Sequence, residues 1–273
     1  MTDTLPVLGA ALAVADLAAH ESWLREAPRD LELQDFVSVE LLEGGWQERA
    51  DTARRALEGH AGRLGIHGPF WGFTIASFDP AVRGIVTRRM MQALDVCDRL
   101  GATQIVIHSP YTTWAHNNLD AGKDERGRII EAARATLAEP LARAAESGVT
   151  FVLENIEDID PAERAGLAAA LGWQALALSV DTGHAHYAHV STGAAPVDFF
   201  LRAAGARLAH VHLQDSEGYA DRHWPIGRGT IRWHAVFGAL AETGADARLI
   251  LELRDKSGVI PSSRTLSSLG LAR

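Results

Sequence analysis

Six successive apolar segments of the sequence each carry a histidine or a carboxylate at or near their end. These residues are His67, His108, Glu154, Asp181, His212 and Glu252. Glu154 and Glu252 lie among aliphatic residues, where an unpaired ionised carboxylate would be strongly destabilising. Imidazole and carboxylate groups together form a ligand set that suits zinc or manganese. We therefore predict that these side chains share a divalent metal.

A structural alternative makes each histidine a hydrogen-bonded core residue and each acid one half of a buried ion pair. That interpretation is adequate for any one of the six residues taken alone. Six such residues at the same end of six consecutive segments favour a metal site. So many ionisable groups gathered at one place destabilise the fold unless they serve a function.

Two loops contribute further candidate metal ligands. His184 stands three residues beyond the carboxylate that ends the segment LALSVD, close enough for the chain to turn back toward it. Asp221 and His223 are two positions apart in the polar loop GYADRHWPIGRG, and they face the same side if that loop is extended. His210 points to the same side as His212 but one layer deeper, so we expect it to support a ligand rather than to be one.

The elements that must position these residues alternate along the whole chain. Eight apolar runs predict strands at Pro6–Ala11, Asp30–Gln34, Arg63–His67, Gln104–His108, Thr150–Glu154, Leu176–Asp181, Leu208–Leu213 and Arg248–Leu253. Helical spacing predicts helices at Glu48–Arg63, Pro80–Leu100, Glu125–Ser147, Pro161–Leu171, Pro196–Ala204 and Trp233–Glu242. The alternation predicts an α/β protein, a single parallel eight-stranded (β/α)8 TIM barrel over residues 1–273. A doubly wound open sheet is the alternative, but no Gly-x-Gly-x-x-Gly follows the first strand.

Composition restricts the function further. The chain has 273 residues, of which 47% are hydrophobic, so it can bury a large core. Its net charge of −9 argues against extensive electrostatic binding to the backbone of a nucleic acid. The most apolar stretch near the start, residues 5–19, contains Asp16 and is too short to cross a bilayer of about 30 Å. We expect a cytoplasmic protein that does not bind membranes, with its single cysteine, Cys97, in the core.

The segments HGPF, VIHSP, LEN, DTGH, HLQDS, DRH followed by IGRG, and LELR occur in that order from His67 to Glu252. Together they resemble the apurinic/apyrimidinic endonuclease IV branch of the xylose-isomerase-like barrel superfamily. The resemblance implies three metal ions per chain, zinc or manganese, with iron as a further option. It implies a first ion on His67, His108 and Glu154, a second on Glu154, Asp181, His212 and Glu252, and a third on His184, Asp221 and His223.

The chain also departs from that branch. The first strand region, LGAALAVADL, has neither the histidine nor the paired glycines of those endonucleases, and the loop DFVSVELLEGG lacks their aromatic and basic DNA-reading residues. Gln214 stands where they have asparagine. These departures make nucleic acid a disfavoured substrate. The wider superfamily includes sugar isomerases and epimerases that use one metal, held by residues equivalent to Glu154, Asp181, His212 and Glu252.

Charge counting favours a hydrolase among these possibilities. Three divalent ions against four carboxylates leave the site at about +2, which suits a phosphate, whereas one ion against three carboxylates leaves about −1, which suits a neutral sugar. We expect a phosphodiesterase or phosphoesterase acting on a small anionic phosphoester, in which three ions activate a hydroxide and Glu154 orients it. The alternative is a sugar or sugar phosphate isomerase or epimerase, in which Glu154 and Glu252 form the catalytic pair. A non-catalytic metal-binding barrel is a third possibility.

Four residues in rim loops are candidates for substrate binding. Arg222 and Arg228 are expected to contact a phosphate, and Trp71 and Trp224 to form part of a pocket wall. The natural substrate, the metal and the oligomeric state have no sequence motif that identifies them.

Overall fold

Eight parallel strands close into a barrel in which each strand pairs with its neighbours in sequence and β8 pairs with β1. A computed structural model describes residues 5–121 and 124–273. The strands are β1 Leu8–Leu12, β2 Leu31–Leu33, β3 Leu64–His67, β4 Gln104–His108, β5 Thr150–Glu154, β6 Leu176–Asp181, β7 Leu208–Leu213 and β8 Arg248–Leu251. The predicted (β/α)8 barrel is confirmed.

Helices follow the strands around the outside of the barrel. They are α1 Leu17–Arg25, α2 Val39–Glu43, α3 Trp46–Ala56, α4 Pro80–Leu100, α5 Thr113–Asn117, α6 Glu125–Ser147, α7 Pro161–Leu171, α8 Thr182–Thr192, α9 Val197–Ala204, α10 Trp233–Thr243 and α11 Val259–Ser268. Short 3-10 turns occupy Val14–Asp16, Asp35–Val37, Gly205–Arg207 and Lys256–Gly258. Within the described ranges, the structure contains no helix with the length and apolar character needed to cross a membrane.

The best-patterned elements have the predicted bounds, and the others differ for local reasons. Strands β4 to β7 match at both ends. β1 begins two residues later than predicted, after Pro6, which has no N–H to donate to a neighbouring strand. The helix predicted at Glu48–Arg63 spans Trp46–Ala56 instead. It ends before Arg63 because the chain adopts a left-handed conformation at Gly59, with φ 77°. β8 ends at Leu251, one residue before its carboxylate Glu252.

Local capping begins and ends the long helices at the predicted residues. Asp79 accepts a hydrogen bond from the Ala81 N–H at 2.8 Å, and Pro80 fills the first turn of α4. Gly101 ends α4 in the left-handed region, with φ 72°. These signals are short-range, so the bounds of α4 follow from the sequence.

Strand register carries the polar residues to one end of the barrel. His108 on β4 pairs with Glu154 on β5, and Asp181 on β6 pairs with His212 on β7. His67 ends β3 beside β4. Because the carboxyl ends of all eight strands meet at one rim, these side chains converge there.

Candidate metal centre

A central cluster at the rim combines three acids with one histidine. Glu154, Asp181, His212 and Glu252 are all buried, and each offers a ligand atom within 4.8 Å of the others. His212 Nδ1 lies 2.6 Å from Glu154 Oε1, 3.3 Å from Glu252 Oε2 and 4.0 Å from Asp181 Oδ2. Three buried carboxylates around one imidazole form an oxygen-rich site of the kind that binds a divalent cation.

A second group lies beside the first and shares Glu154. His108 Nε2 is 3.5 Å and His67 Nε2 is 3.8 Å from Glu154 Oε2. His67 Nδ1 lies 2.9 Å from the carbonyl oxygen of Gly68, to which its N–H can donate, and this leaves Nε2 free to bind a cation. Burial lowers the pKa of His108 to about 3, although Glu154 opposes this effect, so the imidazole is neutral as a ligand must be.

The buried oxygen Oε2 of Glu154 has no hydrogen-bond partner among the described residues. Glu154 is only 1% exposed, and a carboxylate oxygen at such a position ordinarily accepts hydrogen bonds. Burial favours the neutral acid, but His212, through its charge and its hydrogen bond, outweighs burial and holds the pKa of Glu154 well below its ordinary value. An ionised, buried oxygen between two imidazole nitrogens is the strongest local indication of a cation.

A third group consists of His184, Asp221 and His223. The Oδ1 atom of Asp221 lies 3.0 Å from His223 Nε2 and 3.5 Å from His184 Nε2. The Nδ1 atoms of the two histidines lie 3.1 Å from the carbonyl oxygens of Asn155 and Glu252, so both rings direct Nε2 toward the aspartate. The three side chains can satisfy one another as an ion-paired group or hold a metal.

Opposing effects set the charge of this third group. Burial disfavours the charged imidazoles, but the surrounding carboxylates, chiefly Asp181 for His184 and Asp221 for His223, outweigh it. They raise the pKa of His184 to about 10 and that of His223 to about 9. Burial also acts against the charge of Asp221, yet its hydrogen bonds with the two histidines hold its pKa well below the ordinary range. Without a metal, both imidazoles are therefore cationic at neutral pH.

Gln214 connects the loop of the third group to the central cluster. Its Nε2 donates to both carboxylate oxygens of Asp181 at 3.1 Å, and its Oε1 accepts from the backbone N–H of His223 at 2.7 Å. His223 has φ 47°, a left-handed conformation that a histidine adopts only where its surroundings hold it. The glutamine thus bridges the loop of the third group and the central cluster.

A cavity of about 670 Å³ opens above the three groups. Its lining includes side chains of all three groups together with Gln34, Trp71, Arg254 and Lys256. The Lys256 ammonium donates to Gln34 Oε1 at 2.8 Å, and burial lowers the pKa of Lys256. A volume of this size accommodates a small organic substrate.

The structure places the four predicted substrate-binding residues differently. Trp71 lies on the cavity wall, whereas Arg222, Arg228 and Trp224 are absent from its described lining. Arg222 forms an ion pair with Glu217 at 2.6 Å, and Arg228 lies over the Trp224 ring at 4.5 Å. The two arginines therefore bind partners in their own loop, and the cations that face the cavity come from the loop after β8 instead.

Glu32 is a buried carboxylate on β2 that lies next to the central cluster and was not among the predicted site residues. Glu32 is 3% exposed, and both of its carboxylate oxygens lie within 3.2 Å of His212 Nε2. The available signal was the same as for Glu154, an acid inside an apolar run, here LEL. His210, expected to support a ligand, lies 3.2 Å from Glu32.

The fold and the rim define a class of protein, a (β/α)8 barrel whose strand ends present histidines and carboxylates suited to divalent metal. Residues 34–270 match the family described as xylose isomerase-like TIM barrel, and the chain belongs to that family. It is 26% identical over 209 residues to an uncharacterised protein of Methanocaldococcus jannaschii, covering 74% of this chain and 68% of that one. The predicted superfamily is confirmed, and the narrower resemblance to the endonuclease IV branch stays a prediction.

Solved structures share the fold over nearly the whole chain. The TTHB071 protein of Thermus thermophilus, in crystals soaked with ZnCl2, is 26% identical with a TM-score of 0.70, covering 97% of this chain and 99% of that one. A D-tagatose 3-epimerase-like protein is 21% identical with a TM-score of 0.77, covering 96% of both chains. A D-psicose 3-epimerase, solved in the presence of D-fructose, is 18% identical with a TM-score of 0.66, covering 90% of this chain and 85% of that one. At the identities of the last two, the likeness shows a common fold alone.

Proposed function

We propose that this protein is a metal-dependent isomerase or epimerase that acts on a sugar. The observation that carries the proposal is the central cluster, in which two glutamates, one aspartate and one histidine converge below an open cavity. The D-tagatose 3-epimerase-like protein and the D-psicose 3-epimerase that share the fold support it. It replaces the expectation of a hydrolase as the first candidate, since the comparisons point to epimerases.

The residues present fit a divalent metal. Glu154 carries a buried oxygen without a hydrogen-bond partner in the described part of the chain, and three acids surround a single imidazole. The ion would be held by Glu154, Asp181, His212 and Glu252. When bound, such an ion polarises a carbonyl or hydroxyl oxygen of the substrate and neutralises the charge that develops there.

The two glutamates are proposed to move the proton. Gln34 donates to Glu252 Oε1 at 2.5 Å and so orients this carboxylate, which is proposed to take a proton from the substrate carbon next to the carbonyl group. Glu154 is the second exchange site, with Oε1 held by His212. Glu252 removes a proton from one face of that carbon, Glu154, after taking up a proton from water, protonates the other face, and Glu252 then returns its proton to water, so the centre is inverted with no net change in protons.

The cavity supports a small, largely neutral substrate. Three carboxylates against one divalent ion leave about −1, so a strongly anionic ligand gains little from the central cluster itself. Trp71 gives one wall an aromatic surface on which the apolar face of a sugar ring can stack.

The proposal is tested with a panel of ketoses and aldoses in D2O, with mass spectrometry to detect deuterium at the exchanged carbon. We expect deuterated product from at least one sugar. Glu252→Gln should lower kcat by about 10²–10⁴-fold, because proton transfer by a positioned carboxylate contributes about that much. Glu217→Gln is the matched control, since Glu217 pairs with Arg222 in a rim loop. Absence of deuterium exchange with every sugar would refute the proposal.

A second candidate, hydrolysis of a small phosphoester, is favoured by one specific observation. Glu154 Oε2 lies between His67 and His108, and a third ligand group stands beside the central cluster. An isomerase with one ion has no chemical need for these additional groups, whereas clustered ions suit phosphoryl chemistry. Lys256 and Arg254 at the cavity would favour an anion.

Metal content and activity separate the two candidates. The isomerase is expected to hold about one ion per chain and the hydrolase about three. For the hydrolase, an aryl phosphodiester should be cleaved, and His223→Ala should abolish cleavage by removing a ligand of the third group. The control is His234→Ala, which changes an exposed histidine on α10. Cleavage that survives His223→Ala would contradict the three-ion assignment.

A further inference from the structure

A row of buried polar residues lies beneath the central cluster, inside the barrel. Glu32 on β2 is 3% exposed, with Oε1 3.1 Å and Oε2 3.2 Å from His212 Nε2. The same Oε2 is 3.2 Å from His210 Nε2. His210 Nδ1 in turn lies 2.8 Å from the hydroxyl of Ser179. The row therefore runs from β6 through β7 to β2 and ends on a residue of the candidate metal centre.

His212 is held between carboxylates on opposite sides of its ring. Nδ1 faces Glu154, Asp181 and Glu252, while Nε2 faces Glu32. A neutral imidazole carries one proton, and a metal binds the nitrogen that lacks it. If the proton is on Nε2, where Glu32 accepts it, Nδ1 presents a lone pair to the cluster. If it is on Nδ1, the ring donates to Glu154 and cannot bind a metal there.

The surroundings of Glu32 make it a specific partner of these histidines. Arg248, a buried cation at the same level of the barrel, donates its hydrogen bonds to Leu64 O at 2.8 Å and to Thr103 Oγ1 at 2.6 Å. Both carboxylate oxygens of Glu32 are thus directed at His212 Nε2 as acceptors.

We propose that Glu32 is a positioning residue, which accepts the Nε2 proton of His212 and so makes Nδ1 the metal-binding atom. This inference rests on the metal-binding part of the proposed function and is common to the isomerase and the hydrolase. Carboxylate partners of ligating histidines fix the tautomer and the orientation of the ring, and their loss typically lowers metal affinity by about 10–100-fold.

The experiment compares zinc affinity in wild-type protein and Glu32→Gln by competition with a chromogenic chelator. We expect affinity to fall by about 10–100-fold in Glu32→Gln, and Glu32→Asp, which keeps an acceptor charge, should recover part of it. The matched control is Gln104→Leu, which removes another buried polar residue of the barrel interior. Gln104 donates to Ala209 O at 3.2 Å, so its loss should change the melting temperature and leave zinc affinity within about 2-fold.

A second measurement needs no variant and remains informative even if Glu32→Gln fails to fold. Nitrogen-15 NMR of histidine-labelled, zinc-loaded wild-type protein should show His212 with its proton on Nε2 and zinc on Nδ1. Zinc on Nε2 would mean that Glu32, His210 and His212 form a metal site themselves, and would overturn the proposal. Wild-type affinity in Glu32→Gln would overturn it as well. Failure of wild-type protein to bind any zinc would refute the metal-dependent function and this inference together.

Discussion

Metal uptake should release protons, and their number should show which ligand groups are filled. Burial disfavours charge on His184 and His223, but the nearby carboxylates outweigh it and raise their pKa values to about 10 and about 9. His212 is likewise buried, but Glu252, Glu32 and Glu154 raise its pKa well above the ordinary value. At pH 8 all three carry a proton that a metal must displace, while His108, whose burial lowers its pKa to about 3, has none to release.

The magnitude follows from these protonation states. An ion in the central cluster displaces about one proton, from His212 Nδ1, and an ion in the third group displaces about two more, from His184 and His223. Zinc affinity should therefore rise with pH below the raised pKa values, by about tenfold per pH unit for each proton displaced. For the third group the gain should cease above a pH of about 10, where His184 and His223 have lost their protons in the metal-free protein as well.

Isothermal titration calorimetry of metal-free protein in buffers of different ionisation enthalpy measures the number of protons released. The control titrates zinc into the same buffers without protein, and a His223→Gln variant identifies the part due to the third group. Release of about one proton supports the single-ion isomerase, and about three supports the hydrolase. Tight zinc binding without proton release would refute the electrostatic reasoning for both.

Two further predictions concern the residues around the centre. Gln214→Leu removes the acceptor of the His223 N–H and the donor to Asp181. It should therefore lower the free energy of unfolding, measured by urea denaturation, by about 1–3 kcal/mol. Gln92→Leu, which changes a partly buried glutamine, is the control. Lys256→Met should raise KM for an anionic substrate, whereas Arg222→Ala should leave KM unchanged because Arg222 is paired with Glu217 outside the described lining of the cavity. Equal effects of the last two changes would contradict the assignment of the cavity wall.

The polar residues at the rim could be predicted from the sequence because their placement depends on short-range rules. A polar residue at the end of an apolar strand occupies the carboxyl end of that strand in any parallel barrel, and this places His67, His108, Glu154, Asp181 and His212 at one rim. Helix bounds followed from caps in the same way, as with Asp79 before Pro80. In the three-residue strand β2 the predicted bounds were one residue too wide at each end, and Glu32, an acid within the run LEL, was not predicted as a site residue.

The loop cations show why other parts of the site escaped prediction. Arg222 and Arg228 stand beside the candidate ligands Asp221 and His223 in sequence, yet the fold of their own loop gives them partners there. His223 adopts its left-handed conformation, φ 47°, in a loop whose path depends on Gln214. No local pattern encodes which of several loop cations turns toward a shared cavity, because that choice depends on packing against other loops.

The sequence by itself determined the kind of barrel and which polar residues end its strands, since strand periodicity, helix caps and strand-end residues are properties of neighbours along the chain. Only the tertiary structure decided which groups face one another across the barrel. Glu32 and His212 are 180 positions apart, and they meet only because closure of the sheet brings β2 opposite β7. Lys256 at the cavity likewise donates to Gln34, which is 222 positions away in the sequence. Contacts of this range are set by the geometry of the closed sheet, which no single segment specifies.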